Sequence, residues 1–294
     1  MPFRRVDQGR THGQKGRLVL LTENEIRDLN DLCRHFRLDL IEVLHERQTG
    51  HPGGSLSCCE ILTALYFKEM HVRADLPDWA DRDRLILSKG HAAPMLYRVL
   101  AEKGFFPVEE MHTLRKLNTR LQGHPCALDL PGIDASTGPL GFGLSAGIGM
   151  ALGLRLNHSP ARVYVVLGDG ELNEGAVWEA AMSAAKFRLG NLCTVVDWNR
   201  VQLDGKSDDI MPVGSLKRKF SAFGWTAIEC DGHSIEQLCD AFRRARRIKN
   251  RPTVILANTV KGKGVSFMEG KNEWHGKAID DEAFQTAVRE LEGR

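Results

Sequence analysis

The stretch RVYVVLGDGELNEG, residues 162–175, decides the fold of this chain. Its apolar run at 162–167 predicts a buried β-strand, and the Gly-Asp-Gly that follows predicts a tight turn into an Ala-rich helix at 174–187. Downstream, the same alternation predicts strands at 192–196, 225–229 and 253–259 and helices at 215–223 and 235–249. Strands alternating with helices predict an α/β fold, in which a parallel sheet is covered by helices on both faces.

Upstream of this stretch, the sequence predicts a tail followed by helices. Residues 1–20 predict a basic tail, and residues 21–294 predict one domain because no linker-like stretch interrupts them. Thr22 and Glu25 have the spacing of a capping box, which predicts a helix at 23–47. Three further segments have a predicted conformation, namely a turn-rich loop at 50–55, a helix at 56–70 and an irregular, functional segment at 123–143.

The charge balance gives no sign of a nucleic-acid binder, because 40 Lys and Arg residues face 38 Asp and Glu residues. The basic run of Arg243, Arg244, Arg246, Arg247 and Lys249 is interpreted as solvated surface. Seven cysteines form no CxxC pair, which suits a reducing cytosol. No signal peptide or membrane-spanning stretch is apparent, so we expect a cytoplasmic protein with no membrane or nucleic-acid partner.

Polar residues follow two of the predicted strands at the point where each strand ends. Asp169 follows the strand at 162–167, and Asn199 follows the strand at 192–196. In an open parallel sheet, ligands bind beyond the carboxyl ends of the strands. The Asp169 carboxylate, the Asn199 amide oxygen and the Val201 backbone carbonyl are hard donors suited to Mg²⁺, which completes its shell with phosphate oxygens and water. The sequence therefore predicts a metal and diphosphate site, although a tight strand-to-helix turn also accounts for the glycines.

Four histidines lie in glycine-containing loops, namely His51, His91, His124 and His275. An imidazole titrates near neutral pH, so it can donate to a developing alkoxide or relay a proton. Any one of them is more simply a structural residue. Together, in such loops, they indicate a site.

The motif GDGELNEG followed by Asn199 resembles the metal and diphosphate signature of thiamine-dependent enzymes, and within that group it is most similar to transketolase. Further segments agree with this resemblance in order: TGHPGGSLS (49–57), LSKGH (87–91), GHP (123–125), STGPLGFGLSAGIGMA (136–151), and VKGKG with WHGKAI (260–279). The resemblance covers about residues 23–280.

The resemblance implies a role for individual residues. Metal binding falls to Asp169, Asn199 and the Val201 carbonyl. Residues near the diphosphate are Gly170, His91 and Lys261, with Lys263 an alternative on charge alone. The aminopyrimidine and thiazolium are lined by Gly138, Pro139 and Leu140. The substrate channel is lined by His51, His124 and His275, the last also near the cofactor. Glu174 corresponds to a subunit-interface acid or is simply a helix-start carboxylate.

The resemblance also implies a partner. A whole transketolase is more than twice as long, and its second domain supplies the glutamate that activates the aminopyrimidine. We therefore expect this chain to be the N-terminal subunit of a two-subunit transketolase, with a separate C-terminal partner in an α2β2 assembly. The implied reaction transfers a two-carbon ketol group from a ketose phosphate to an aldose, with thiamine diphosphate and Mg²⁺, Ca²⁺ or Mn²⁺.

Other functions compete with this interpretation. An alpha-type subunit of a 2-oxo acid dehydrogenase shares the cofactor signature, and deoxyxylulose phosphate synthase is a further candidate that is normally one long chain. A non-catalytic thiamine diphosphate-binding module would keep the fold without the reaction. A dinucleotide site is disfavoured because Gly141, Gly143 and Gly147 have the spacing GxGxxxG and follow no predicted strand.

Overall fold

The computed structural model describes residues 21–293. The predicted tail at 1–20 lies outside the described residues, and the domain bounds of 21–294 stay a prediction.

The first helix begins at a capping box. The Thr22 hydroxyl accepts a hydrogen bond from the Glu25 N–H at 3.2 Å, and the Glu25 carboxylate accepts one from the Thr22 N–H at 2.9 Å. Helix α1 (Glu23–Arg47) therefore has the predicted bounds.

Helices alternate with the strands of one sheet along the chain. The strands are β1 (Arg84–Leu87), β2 (Val163–Gly168), β3 (Leu192–Trp198), β4 (Thr226–Asp231) and β5 (Thr253–Asn258). The helices after α1 are α2 (Pro52–Ser57), α3 (Cys59–Ala64), α4 (Ala93–Glu102), α5 (Gly143–Leu156), α6 (Gly175–Lys186), α7 (Ser207–Ile210), α8 (Leu216–Ala222), α9 (Ile235–Arg247) and α10 (Asp281–Glu292). Each strand and helix predicted downstream of residue 162 is present, with ends displaced by no more than two residues.

The strands run parallel in the order β1-β2-β3-β5-β4. Strands β2 and β3 are neighbours, and Gly168 lies opposite Asp197. The chain therefore leaves both strands at the same edge of the sheet. Strand β1 was not predicted, because four residues are too few to establish a periodicity. It pairs with β2 and brings the motif LSKGH (87–91) to that same edge.

Helices cover both faces of the sheet. Tyr164 and Val166 pack into one core with α1, α3, α4 and α9, whereas Val163 and Val165 pack into a second core with α5, α6 and α8. Successive strand side chains point to opposite faces, so a strand buried on both faces is a continuous apolar run. The predicted α/β class, a parallel sheet with helices on both faces, is confirmed.

The segment after α1 differs from the prediction. Residues 50–55 were predicted as a loop, but α2 occupies Pro52–Ser57, so that prediction was wrong. Pro52 lies in the first turn, where a helix needs no N–H from it. Gly53 permits close packing there, since a Cβ added to it would lie 2.8 Å from the Trp274 carbonyl oxygen.

The helix predicted at 56–70 is present in pieces. It is interrupted at Cys58, continues as α3 and ends in a π-helical turn over Leu65–Glu69. The segment predicted to be irregular at 123–143 contains no helix or strand until α5 begins at Gly143, which confirms that prediction apart from its last residue.

A buried ion pair joins α1 to α3. The Arg37 guanidinium donates to both oxygens of Glu60, at 2.6 and 2.7 Å. His233 Nδ1 lies 2.9 Å from Glu60 Oε2, and His233 Nε2 accepts from the Val260 N–H at 2.8 Å. Against the effect of burial, Arg37 and His233 lower the pKa of Glu60 to about 2. The pair therefore connects the helical layer to Val260, the residue before Lys261.

Replacing Glu60→Gln should lower the free energy of unfolding by about 3–5 kcal/mol at neutral pH, because it leaves Arg37 buried without a counter-charge. Urea unfolding followed by circular dichroism measures this loss. The matched change Glu42→Gln removes an exposed carboxylate from α1, the helix that carries Arg37, and should cost less than about 0.5 kcal/mol. Equal effects of the two changes would contradict the prediction.

Candidate active site

Three hydrogen bonds hold the Asp169 carboxylate at the end of β2. Asp169 is 2% exposed, and its Oδ1 accepts from the Gly170 N–H at 2.9 Å. Its Oδ2 accepts from the Arg200 N–H at 2.6 Å and from the Ser207 hydroxyl at 3.0 Å. Because Arg200 follows Asn199, these bonds join the loop after β2 to the loop after β3. The two loops predicted from the strand ends are therefore side by side.

A left-handed residue shapes the loop after β3. Arg200 has a φ of +64°, a conformation that costs a residue other than glycine about 1–2 kcal/mol. The turn lets the Asn199 amide oxygen accept from the Val201 N–H at 3.1 Å. Asn199 and Val201 are both buried. The three residues predicted to bind metal thus occupy one buried edge of the sheet.

Lys261 lies against the same loop. Its ammonium donates to the Val201 carbonyl at 3.1 Å and to the Gln202 carbonyl at 3.3 Å, and it lies 2.9 Å from His275 Nδ1. Burial lowers the pKa of Lys261 to about 8. Lys263, the alternative left open by charge alone, pairs instead with Glu269 at 3.4 Å. The structure therefore brings Lys261, and not Lys263, beside the predicted metal ligands.

The surroundings of Asp169 fit a divalent cation. Its carboxylate has no ion-pair partner among residues 21–293, and burial, together with the nearby Asp197, raises its pKa. A buried carboxylate without a cation is costly, and a metal bound there would compensate its charge. One carboxylate, the Asn199 amide oxygen and the Val201 carbonyl form a donor set of the kind that Mg²⁺ prefers.

Four histidines from four separate loops meet beside Lys261. The ring centroid of His51 lies 5.5 Å from that of His91, 5.5 Å from that of His275 and 6.2 Å from that of His124. The centroids of His91 and His275 lie 4.9 Å apart. The cluster predicted from the glycine-containing loops is present in space.

These imidazoles have lowered pKa values, because burial disfavours their charged form. The pKa of His51 falls to about 4, through burial and then repulsion from Arg115. The pKa of His275 falls to about 3, again chiefly through burial. Burial also lowers the pKa of His91 and of His124. The rings are therefore neutral at physiological pH, and each offers one donor and one acceptor nitrogen.

Close backbone approach brings the segment at 138–140 to this cluster. A Cβ added to Gly90 would lie 3.0 Å from the Gly138 backbone nitrogen, and one added to Gly138 would lie 3.5 Å from the His124 ring. Gly138 thus lies beside His124, and the assignment of Pro139 and Leu140 to the cofactor rings stays a prediction.

Sequence reasoning missed Glu171, which is buried in the GDGEL turn. Its carboxylate accepts from the Ser88 hydroxyl, from the Gly141 N–H at 2.8 Å and from the Gly168 N–H at 3.1 Å. It therefore joins the ends of β1 and β2 to the segment before α5. The sequence feature that could have indicated this role is a glutamate in the turn between a buried strand and a helix. It was missed because a glutamate in a turn is ordinarily exposed to solvent.

Sequence reasoning also missed a buried ion pair between Lys89 and Asp197. Both side chains are at most 1% exposed. The Asp197 carboxylate also accepts from the Ser57 hydroxyl at 2.5 Å and from the Thr259 hydroxyl. Lys89 donates to the Gly54 carbonyl at 2.8 Å as well. Despite burial, Lys89 lowers the pKa of Asp197, so the carboxylate stays ionised.

Glu174 is exposed and precedes α6 without a side-chain capping bond. Its assignment as a subunit-interface residue stays a prediction.

The chain matches a family model described as transketolase, thiamine diphosphate binding domain, over residues 28–292. It is 44% identical over 272 residues to the 6-deoxy-6-sulfo-D-fructose transketolase subunit SqwG of Clostridium sp. (strain MSTE9), covering 92% of this chain and 98% of that protein. It is 40% identical to one subunit of the apulose-4-phosphate transketolase of Phocaeicola vulgatus, covering 88% and 92% of the two chains. Identity to transketolase of Homo sapiens is also 40%, but the match covers only 43% of that longer protein.

Solved structures give the same result. A transketolase variant from Pichia stipitis superposes with a TM-score of 0.85 at 28% identity, over 90% of this chain and 40% of that one. Transketolase from Leishmania mexicana superposes with a TM-score of 0.85 at 27% identity, over 90% of this chain and 41% of that one.

A parallel sheet with this carboxylate, amide and histidine edge is the domain of a thiamine diphosphate-dependent enzyme, whose cofactors are thiamine diphosphate and a divalent metal. The chain belongs to the transketolase family, as its thiamine diphosphate-binding part. The predicted resemblance is confirmed, and transketolase is favoured over a 2-oxo acid dehydrogenase component or a non-catalytic module.

Within residues 21–293, no helix combines the length and apolar character that crossing a membrane requires.

The histidine cluster should make the fold sensitive to acid. The pKa of His51 is about 4 in the folded chain against an ordinary 6.5. Below pH 6.5 the unfolded chain therefore binds a proton that the folded chain excludes, so stability is fully present above 6.5 and declines as the pH falls toward about 4. The change His51→Gln should remove roughly 1–2 kcal/mol of this decline, after allowance for partial exposure. Urea unfolding at several pH values measures the slope, and an unchanged slope would show that His51 does not cause it.

Proposed function

We propose that this chain is the N-terminal subunit of a two-subunit transketolase, which transfers a two-carbon ketol group from a ketose phosphate to an aldose. The observation that carries the proposal is the junction of Asp169 and Asn199 at one buried edge, with four neutral histidines beside it. The near-complete coverage of two relatives that are themselves named as subunits supports the division into two chains.

The metal and the diphosphate would be held by residues of the two strand-end loops. Asp169, Asn199 and the Val201 carbonyl would bind the metal, and Gly170, His91 and Lys261 would lie along the diphosphate. A Cβ added to Gly170 would lie 3.0 Å from Gln202 Cβ, so a side chain there would crowd the two loops. The three donors of the Lys261 ammonium are directed at the Val201 and Gln202 carbonyls and at His275 Nδ1, so a phosphate oxygen would replace one of these contacts.

Gly138, Pro139 and Leu140 would line the rings of the cofactor. When bound, thiamine diphosphate supplies the nucleophilic carbon and the electron sink that cleavage of a ketose carbon–carbon bond requires. This chain would contribute His51, His124 and His275, which hold the substrate hydroxyls and move protons.

The neutral state of the imidazoles suits this role. The pKa of His51 near 4 and that of His275 near 3 keep both rings neutral at physiological pH, so each ring can donate one hydrogen bond and accept another. His51 Nδ1 is buried and has no hydrogen-bond partner among residues 21–293, and unsatisfied buried polar atoms of this kind are typical of functional sites. Lys261 lies 2.9 Å from His275 Nδ1 and fixes the orientation of that ring.

A C-terminal partner subunit would supply the glutamate that activates the aminopyrimidine, in an α2β2 assembly. Helices α5 and α6 pack together. Large apolar side chains that suit an interface are exposed on these helices and at the residue before α5, namely Leu156 at 78%, Met182 at 59% and Phe142 at 64%. Gly149 and Gly153 have open space around them, which allows another backbone to approach. Exposed Glu174 immediately precedes α6.

The donor would be a ketose that carries an anionic group. The two relatives act, by name, on a sulfo-sugar and on a sugar phosphate.

We further propose a cytoplasmic location, since all seven cysteines are free.

The change Asp169→Asn should abolish metal-dependent cofactor binding. It removes the charged member of the proposed ligand set, so the affinity for thiamine diphosphate with Mg²⁺ should fall by more than roughly a hundredfold. Stability should be unchanged or higher, because the change removes a buried carboxylate whose pKa burial already raises. Calorimetric titration measures the affinity. The exposed control Asp78→Asn should bind as the parent does, and undiminished binding by Asp169→Asn would refute the metal site.

Mixing this chain with the partner subunit should restore ketol transfer, whereas the chain alone should turn over little substrate. In the mixture, His124→Ala should lower kcat by roughly a hundredfold to ten-thousandfold while leaving cofactor affinity within about twofold, since that imidazole serves the substrate.

Light scattering on the complex gives its mass and so tests the α2β2 stoichiometry. Robust activity of the single chain would overturn the two-subunit proposal.

A further inference from the structure

A cavity of about 310 Å³ opens at the edge of the sheet opposite the candidate active site. Arg162 lines it immediately before β2, and Gly190 and Asn191 line it immediately before β3. The active-site loops leave the other ends of these strands. The strand β2 separates Arg162 from Asp169 by roughly 20 Å, at about 3.3 Å per residue.

Five cationic side chains line the cavity, namely Arg155, Arg162, Arg188, Arg246 and Lys249. They come from four places in the chain, and the last two belong to the basic run at 243–249 that the sequence alone left as solvated surface. No carboxylate is among the lining residues within 21–293. Like charges in a concave site repel one another and raise the local concentration of anions.

Protein groups compensate these cations only in part. Arg246 pairs with Glu69 at 2.9 Å, and Arg162 Nη1 donates to the Gly190 carbonyl at 3.1 Å. Nε and Nη2 of Arg162 are buried and have no hydrogen-bond partner in the described part of the chain. The side chains of Arg188 and Lys249 are exposed and form no ion pair within it.

The wall of the cavity is built by close backbone packing. A Cβ added to Gly190 would collide with the Lys249 backbone carbonyl, so only glycine lets the end of α9 approach the start of β3. Asn191 Nδ2 donates to the Ala151 carbonyl at 2.9 Å, and Arg155 Nη1 donates to the Phe187 carbonyl at 2.6 Å. These contacts fix Arg155, Arg162 and Lys249 around one space.

We propose that this basic cavity binds a small metabolite carrying two phosphate groups, at a site separate from the cofactor. Guanidinium groups bind phosphate through paired N–H donors, and the cavity offers three of them besides the one paired with Glu69. Its volume lies at the lower end of the range of small-ligand pockets, roughly 300–1000 Å³. A single inorganic phosphate would reach only some of the five cations.

The test is calorimetric titration of the full chain with 2,3-bisphosphoglycerate as the probe. Saturating thiamine diphosphate and Mg²⁺ occupy the other phosphate site during the titration. The cavity variant Arg188→Gln with Lys249→Gln should weaken binding by at least roughly tenfold, because each change removes a charged contact. Both residues are exposed and form no ion pair within residues 21–293, so the variant should keep the parent's unfolding midpoint.

The matched control is Arg218→Gln with Arg247→Gln, which removes the same charge from exposed residues outside the cavity. It should bind within about twofold of the parent, since overall charge acts only weakly on a specific site. An equal loss in both variants would show general attraction of anions to a basic surface and would overturn the proposal. Absence of binding to the parent chain at roughly 1 mM probe would overturn it as well.

Discussion

One buried carboxylate holds the active-site segments in register. Asp197 is fully buried near the end of β3 and binds Ser57 at the end of α2, Lys89 after β1 and Thr259 after β5. Four segments therefore converge on one charge. These four segments also contain His51, His91, Asn199 and Lys261, each a few residues along the chain from a residue of the Asp197 network. Breaking such a pair leaves an uncompensated charge in the core, so its geometry tolerates little displacement.

The same burial sets the electrostatics of the site. It keeps Asp197 and Lys89 charged as a pair and the four histidines neutral, because only the pair has an opposite charge to offset desolvation. Lys261, with a pKa near 8, and unpaired Asp169 are left beside the neutral rings. That combination suits a ligand that brings both a divalent cation and a diphosphate. At the opposite edge of the sheet, five cations line one cavity and only Arg246 among them pairs with a carboxylate within residues 21–293.

Much of the fold could be predicted because local patterns were strong. The Thr22–Glu25 capping box fixed the start of α1, and strands buried on both faces appear as apolar runs wherever they exceed about five residues. Strand β1 escaped prediction because it is short, and α2 because Gly53 and Gly54 are poor helix formers. Packing against Trp274 and Lys261 stabilises α2, and no local propensity reports that contact.

By itself, the sequence determined the predicted strands and helices downstream of residue 162, the oxygen donors at two strand ends and the histidines in glycine-containing loops. Each of these depends on residues adjacent in the chain. The tertiary structure alone decided that the ammonium of Lys261, which the resemblance favours over Lys263, meets the Val201 carbonyl. It also decided that Glu171 joins three segments, and that Arg246 and Lys249 share a cavity with Arg162. These contacts depend on side chains from distant segments, whose distances are set only when the sheet and its helices pack.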